Sequence, residues 1–257
     1  MTSSRRLTRA ALQSYWPNSL VDHRVHPLPE YNCIYVRNAK VGTGTTLLWL
    51  HRVHTGDFDF SPLRSIHAEH RLPAPQDVGW ENVADMLEGE AFRFTFVRDP
   101  FRRVESAYRN KVLERSRGRG RRAPAVTQGR RTRLRRIKTL QTAIGLRGSG
   151  SQDLTFDQYI AALEVLADRN ALKMDAHFRP QHLNLMHGLI SYDLIGRLET
   201  FEADLEKVRE ATGMPPVPVE VGRNASPDSA TSLFDGRPDL LKKVKRIYAR
   251  DFELYGY

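Results

Sequence analysis

Short apolar runs alternate with apolar positions at helical spacing along much of the chain. Cys33–Arg37, Phe92–Val97 and Tyr192–Ile195 are runs of the length and composition expected of buried strands. The first two each lead directly into a helical pattern. After Cys33–Arg37 comes the turn Asn38-Ala39-Lys40-Val41-Gly42-Thr43-Gly44, then Thr45–Val53, where Leu47, Leu48, Trp49 and Leu50 leave little polar surface. After Phe92–Val97 come Asp99 and Pro100, a suitable N-cap and first-turn pair, then Phe101, Val104, Tyr108 and Val112. Strand followed by helix, twice, predicts βα units of a parallel sheet and places the chain in the α/β class. Further helices are predicted at Trp80–Leu87, Thr155–Ala167, Phe201–Thr212 and Pro238–Tyr248. The third of these ends at Gly213, just before Pro215 and Pro216. No internal repeat appears, and 257 residues suit a single domain with a buried core.

Composition narrows the class. Apolar residues make up 40% and charged residues 27% of the chain, as in ordinary globular proteins. No apolar run reaches the length of a transmembrane helix. Met1–Gln13 is basic and polar and lacks the apolar stretch of a secretory signal, so residues 1–25 are expected to be a flexible end. Cys33 is the one cysteine, which excludes an internal disulfide or a cysteine-rich metal site. A cytoplasmic protein of bacterial origin is the expectation.

The net charge of +10 is local. Between Arg115 and Lys138 stand eleven Arg and Lys and no acid; removing them from the 40 basic residues leaves 29 against 30 acidic ones. Residues 115–138 therefore read as a basic insertion, mobile in its Gly-rich first half. Two readings stand side by side: a solvated loop, or a contact for a polyanion such as a sulfated glycan or a nucleic acid backbone.

Two places carry candidate chemistry. In the turn around Lys40, Gly42 and Gly44 let backbone N–H groups turn inward at a helix N-terminus, while Thr43, Thr45 and Thr46 add hydroxyls and Lys40 a full charge. That set suits a phosphate or phosphosulfate, although an ordinary strand-to-helix turn has the same composition. It is not a Walker loop, because the lysine precedes its glycines. The second place is the block Val97-Arg98-Asp99-Pro100-Phe101-Arg102-Arg103-Val104-Glu105-Ser106. Arg98 ends a strand, where ligands of open α/β sheets gather, and Ser106 lies two turns into the next helix. Together they can grip one phosphate; on spacing alone, Arg98 paired with a carboxylate and Ser106 as a packing residue is the slightly favoured alternative.

Taken as a pair, the Lys40 turn and the Arg98–Ser106 block resemble the two motifs with which sulfotransferases bind 3′-phosphoadenosine 5′-phosphosulfate (PAPS). The likeness is to the Golgi carbohydrate type that modifies chondroitin and dermatan. It extends through His177-Phe178-Arg179-Pro180-Gln181, through Tyr192–Thr200, and to the ending with Tyr248, Asp251-Phe252 and Tyr255. The resemblance implies a P-loop-like, three-layer fold with a central, mainly parallel sheet flanked by helices. It implies that Lys40, Val41, Gly42, Thr43, Gly44, Thr45 and Thr46 hold the 5′-phosphosulfate, and that Arg98 and Ser106 hold the 3′-phosphate. The family places a functional histidine between the two motifs, which gives His67 first and His70 close behind as the base, with Glu69 a weaker third. His177 and Arg179 would contact the acceptor or shape the pocket. The chain departs from the family at Ala39, where proline is usual, at Gly44, where a hydroxyl is common, and at Met186 and Leu189, where cysteines stand.

The activity this implies is in-line transfer of a sulfuryl group from PAPS to a carbohydrate hydroxyl, releasing 3′-phosphoadenosine 5′-phosphate (PAP), with no metal required. The rival readings are another phosphate-handling transferase and a nucleic-acid-binding protein acting through residues 115–138.

Overall fold

The computed structural model describes residues 10–12, 23–113, 125–146, 154–219 and 232–257. The expected flexible start, apart from residues 10–12 and 23–25, and residues 115–124 of the basic segment lie outside them. In chain order the main elements are β1 (Val25–Leu28), β2 (Cys33–Val36), α1 (Thr43–Thr55), α2 (Ile66–Glu69), α3 (Pro75–Val78), α4 (Trp80–Glu88), β3 (Phe92–Val97), α5 (Pro100–Lys111), α6 (Ala125–Ala143), α7 (Phe156–Asn170), α8 (Gln181–Asn184), β4 (Leu194–Arg197), α9 (Phe201–Thr212), α10 (Pro238–Ile247) and α11 (Ala249–Tyr255). They form two compact units, each assembled from separate stretches of chain: Met1–Arg98 with Gln181–Ala225, and Asp99–Pro180 with Ser226–Tyr257.

The first unit holds the sheet, in the order β1-β2-β3-β4. β2, β3 and β4 run parallel, and β1 is antiparallel at one edge. β1 has no counterpart among the predicted strands. Its sequence is Val-His-Pro-Leu, and Pro27 cannot donate to a ladder; an edge position tolerates it. β4 begins two residues later than the run Tyr192–Ile195 suggests, with Phe94 opposite Leu194 and Val97 opposite Arg197. Tyr192 and Asp193 are used as anchors instead: the Tyr192 hydroxyl donates to Leu185 O at 2.6 Å, and the Asp193 carboxylate accepts from Arg93 N at 2.8 Å. The core joins Tyr35, Phe94 and Phe96 of the strands to Leu47, Leu50 and Val53 of α1 and to Phe201, Leu205 and Val208 of α9. Gly196 is required by this packing, since a Cβ there would lie 2.6 Å from the Phe96 ring.

The second unit is helical. Asp99 caps α5 by accepting from Arg102 N at 2.8 Å, with Pro100 as the first helical residue. Thr155 caps α7, with Gln158 returning the bond. Val104, Ala107 and Tyr108 of α5, Leu140 of α6, Tyr159, Ile160 and Leu163 of α7, and Leu240 and Val244 of α10 share one apolar core. From Ala125 onward the basic segment is helical, and Ile137, Leu140 and Ala143 give α6 a buried stripe; the first half, read as a mobile loop, lies mostly outside the described residues. The last predicted helix is found as α10, ending one residue early at Ile247, and a further helix, α11, follows Tyr248, whose hydroxyl donates to Phe178 O at 2.6 Å. Among the described residues no helix is long and apolar enough to cross a membrane.

Candidate functional site

The site begins where β2 ends. Asn38 is fully buried, and its side chain ties the turn to the sheet: Nδ2 donates to Phe96 O at 3.2 Å, and Oδ1 accepts from Ala39 N at 2.9 Å. The chain then reverses through two left-handed residues, Lys40 at φ 71° and Gly42 at φ 77°. At Gly42 a side chain would be strained by the left-handed φ and would push on Leu198, whose Cδ1 lies 2.8 Å from where a Cβ would stand. A lysine in the left-handed region is uncommon, and the Lys40 side chain is half-buried.

α1 starts at once. The amides of Thr45 and Thr46 bond to Gly42 O at 2.9 and 3.1 Å, so those of Thr43 and Gly44 precede the first helical bonds and point out of the helix N-terminus. No acidic residue stands in this first turn to compete with an anion. The three hydroxyls separate by position. Thr43 Oγ1 donates to Asn38 O and Thr46 Oγ1 to Gly42 O, so both brace the turn from inside. Thr45 and Gly44 are partly exposed, while the Val41 side chain is sunk in the core.

Arg98 follows the last residue of β3, the strand parallel to β2, so it leaves the sheet at the same end as the Lys40 turn. Its backbone is held by one side chain. Gln181 Oε1 accepts from Arg98 N at 3.0 Å, and Gln181 Nε2 donates to Arg98 O at 2.8 Å. The same Oε1 accepts from Asn38 Nδ2 at 3.1 Å, and Asn184 Nδ2 donates to Asn38 Oδ1 at 3.0 Å. Asn38, Gln181 and Asn184 are all fully buried, so this amide network knits the two strand ends together.

The histidine segment is bonded to the same strand end. Arg37, the residue after β2, places Nη2 2.7 Å from His67 Nδ1. A guanidinium only donates, so Nδ1 of His67 accepts and its proton sits on Nε2. His70 is half-buried, edge-on to the His26 ring at 5.2 Å. Burial first, then Arg37, His51 and His23, lower its pKa to about 4. The Glu69 carboxylate accepts the amides of Leu63, Arg64 and Ser65 at 2.8, 2.7 and 2.6 Å. The Ser65 bond leads in keeping its pKa below the usual range, and the group serves as a clasp for the loop rather than as a base.

The remaining predicted residues belong to the second unit. Ser106 is half-buried on α5. His177 Nδ1 lies 2.6 Å from Asp175 Oδ1, and Arg136 Nε donates to Asp175 Oδ2 at 2.6 Å. Burial, opposed by the Asp175 bond, lowers the His177 pKa to about 4. Arg179 is buried and folds back to donate from Nε and Nη2 to Met174 O, both at 3.2 Å, which makes it a brace for its own segment. The structure thus gathers Lys40, the α1 N-terminus, Arg98, His67 and His70 in the first unit. Among the described residues no group of His, Cys, Asp and Glu is arranged to hold a metal ion.

Four contributors were not among the predicted residues: Asn38, Arg37, Gln181 and Asn184. Asn38 sits at the mouth of a predicted strand-to-helix turn, where a buried amide is a reasonable suspect. Gln181 pairs with backbone 83 positions away, which no local pattern reveals.

A family model described as "Sulfotransferase family" matches residues 28–257. Carbohydrate sulfotransferase 14 of Homo sapiens is 30% identical over 172 residues, covering 65% of this chain and 42% of that protein. The Mus musculus counterpart is 31% identical with the same coverage. Carbohydrate sulfotransferase 11 of Mus musculus is 26% identical over 172 residues, 64% of this chain and 46% of that protein. The chain therefore matches less than half the length of each of these relatives. No solved structure matches.

Proposed function

Because the chain belongs to the sulfotransferase family, we propose that it transfers a sulfuryl group from PAPS to a hydroxyl of a carbohydrate acceptor. The observation that carries this reading is the placement of the Lys40 turn and Arg98 at the same end of neighbouring parallel strands, tied together by Asn38 and Gln181. PAPS is anionic at both ends, and each strand end offers a cation; the α1 N-terminus adds amides free of acidic competition. The carbohydrate acceptor is supported by the names of the relatives.

PAPS supplies the sulfuryl group, and PAP is what leaves. Lys40 neutralises charge developing on the leaving phosphate, helped by the Thr43 and Gly44 amides and the Thr45 hydroxyl. Arg98 takes the 3′-phosphate. His70 accepts the acceptor proton: its lowered pKa keeps the ring neutral at physiological pH, whereas Nδ1 of His67 is occupied by Arg37.

The test is binding and turnover together. PAPS and PAP should each raise the melting temperature, ATP should do so much less, and sulfate labelled in PAPS should pass to a glycan in a panel of cell-derived oligosaccharides. Equal shifts from ATP and PAP, with no labelled glycan, would overturn the assignment.

A further inference from the structure

We propose that Gln181 is a positioning residue for recognition of the nucleotide 3′-phosphate, acting through the backbone of Arg98; the inference rests on the PAPS reading above. The ladder between β3 and β4 ends at Val97 and Arg197. One residue further on, the N–H and C=O of Arg98 have left the sheet, yet they remain half-buried and require partners. Gln181 supplies both. Its carboxamide lies against Arg98 as a neighbouring peptide group would, accepting at 3.0 Å and donating at 2.8 Å. The strand is in effect extended by one residue, and the Cα of Arg98 is fixed in direction.

The second connection gives the residue more than local support. The oxygen that accepts from Arg98 also accepts from Asn38, whose own carbonyl receives the Thr43 hydroxyl inside the Lys40 turn. One buried carboxamide therefore sets the root of Arg98 relative to the root of Lys40. A guanidinium discriminates a phosphate by two aligned bonds, which a small change of direction at its Cα spoils. A nucleotide with an anionic group gripped at each end is sensitive to that spacing, and a nucleotide lacking the 3′-phosphate is not.

The experiment compares PAP with AMP, which lacks the 3′-phosphate, by calorimetric titration of the full chain. The wild type should favour PAP by at least about tenfold. Gln181→Met, of similar volume but unable to bond the backbone, should bring the two affinities to within about threefold, with PAP losing more affinity than AMP. Its KM for PAPS should rise accordingly, with the acceptor KM unaltered. If Gln181→Met does not fold, Gln181→Glu is read in the same way: it keeps the acceptor for Arg98 N–H and loses the donor to Arg98 O. A variant with a lower melting temperature but the wild-type PAP-to-AMP ratio would assign Gln181 a structural role only and overturn the inference while leaving the PAPS reading intact. A wild type that binds AMP as well as PAP would overturn both.

Discussion

Nη2 of Arg37 lies 2.7 Å from Nδ1 of His67, and this bond distinguishes the two histidines that flank Glu69. With Nδ1 accepting and Nε2 protonated, His67 has no site for another proton unless it gives up Arg37. Among the described residues His70 carries no such bond to a cation, and burial keeps it uncharged down to about pH 4.

His70→Gln should therefore lower kcat by roughly two orders of magnitude or more, as loss of a general base does. His67→Gln retains an acceptor for Arg37 and should lose less than about tenfold. The wild-type kcat should be level from pH 8 to about pH 5 and fall only as the pH approaches the His70 value of about 4. Steady-state kinetics of the two variants decide the matter; the reverse order of losses would reassign the base to His67.

In the proposed reaction Lys40 and Arg98 divide the work along the donor. Lys40→Ala leaves the backbone of the turn in place and removes the charge facing the leaving phosphate. The loss should fall on kcat, by about 100-fold or more, with PAPS affinity changed far less. Arg98→Ala removes a ground-state grip and should raise KM for PAPS with kcat largely retained. Measuring both constants at saturating acceptor separates the two, and exchanged effects would reverse the roles.

The parts of the molecule that obey local rules were readable in the chain. β2, β3 and the helix after each follow from apolar runs and from Asp99-Pro100, and α9 is found at its predicted limits of Phe201 and Thr212. What escaped depends on partners far away in sequence. β1 contains Pro27 and exists because β2 lies beside it. The division into two units follows from a chain that leaves the sheet-bearing unit after Arg98 and re-enters at Gln181, with no linker composition at either point. The Lys40 turn announced its glycines and hydroxyls, but the inward use of Thr43 and Thr46 depends on Asn38 O and Gly42 O.

Several buried histidines bear on stability in acid. Burial first lowers the pKa of His26 to about 3 and of His70 and His177 to about 4. Each folded-state value lies below the ordinary 6.5, so the unfolded chain binds more protons at intermediate pH. The stability these groups contribute is complete above about pH 6.5 and declines as the pH falls towards 4, by up to about 1.4 kcal/mol per pH unit for fully buried His26 and by less for the partly exposed His70 and His177. Melting temperatures recorded from pH 8 to pH 4 should drop mainly below 6.5. His26→Phe, which keeps an aromatic ring against Tyr35, should flatten that slope. An unchanged slope in the variant would remove His26 from the account.

Of the two readings of the basic segment, a contact for a polyanion can be tested on α6. Arg131, Arg135 and Lys138 are exposed and recur at intervals of four and three along α6, which sets them on one face, opposite buried Ile137 and Leu140. A stripe of three cations fits an extended chain of sulfates or carboxylates better than a neutral sugar, and the attraction is screened over about 10 Å at 0.1 M salt. Replacing all three by Ser should leave the melting temperature and PAP affinity unchanged, because none of the three is buried. The KM for a sulfated or uronate-bearing glycan should rise by about tenfold at low salt, and the difference from wild type should vanish at high salt. A neutral oligosaccharide acceptor should show neither effect. If the triple variant treats acidic and neutral acceptors as the wild type does at every salt concentration, the stripe has no part in acceptor recognition.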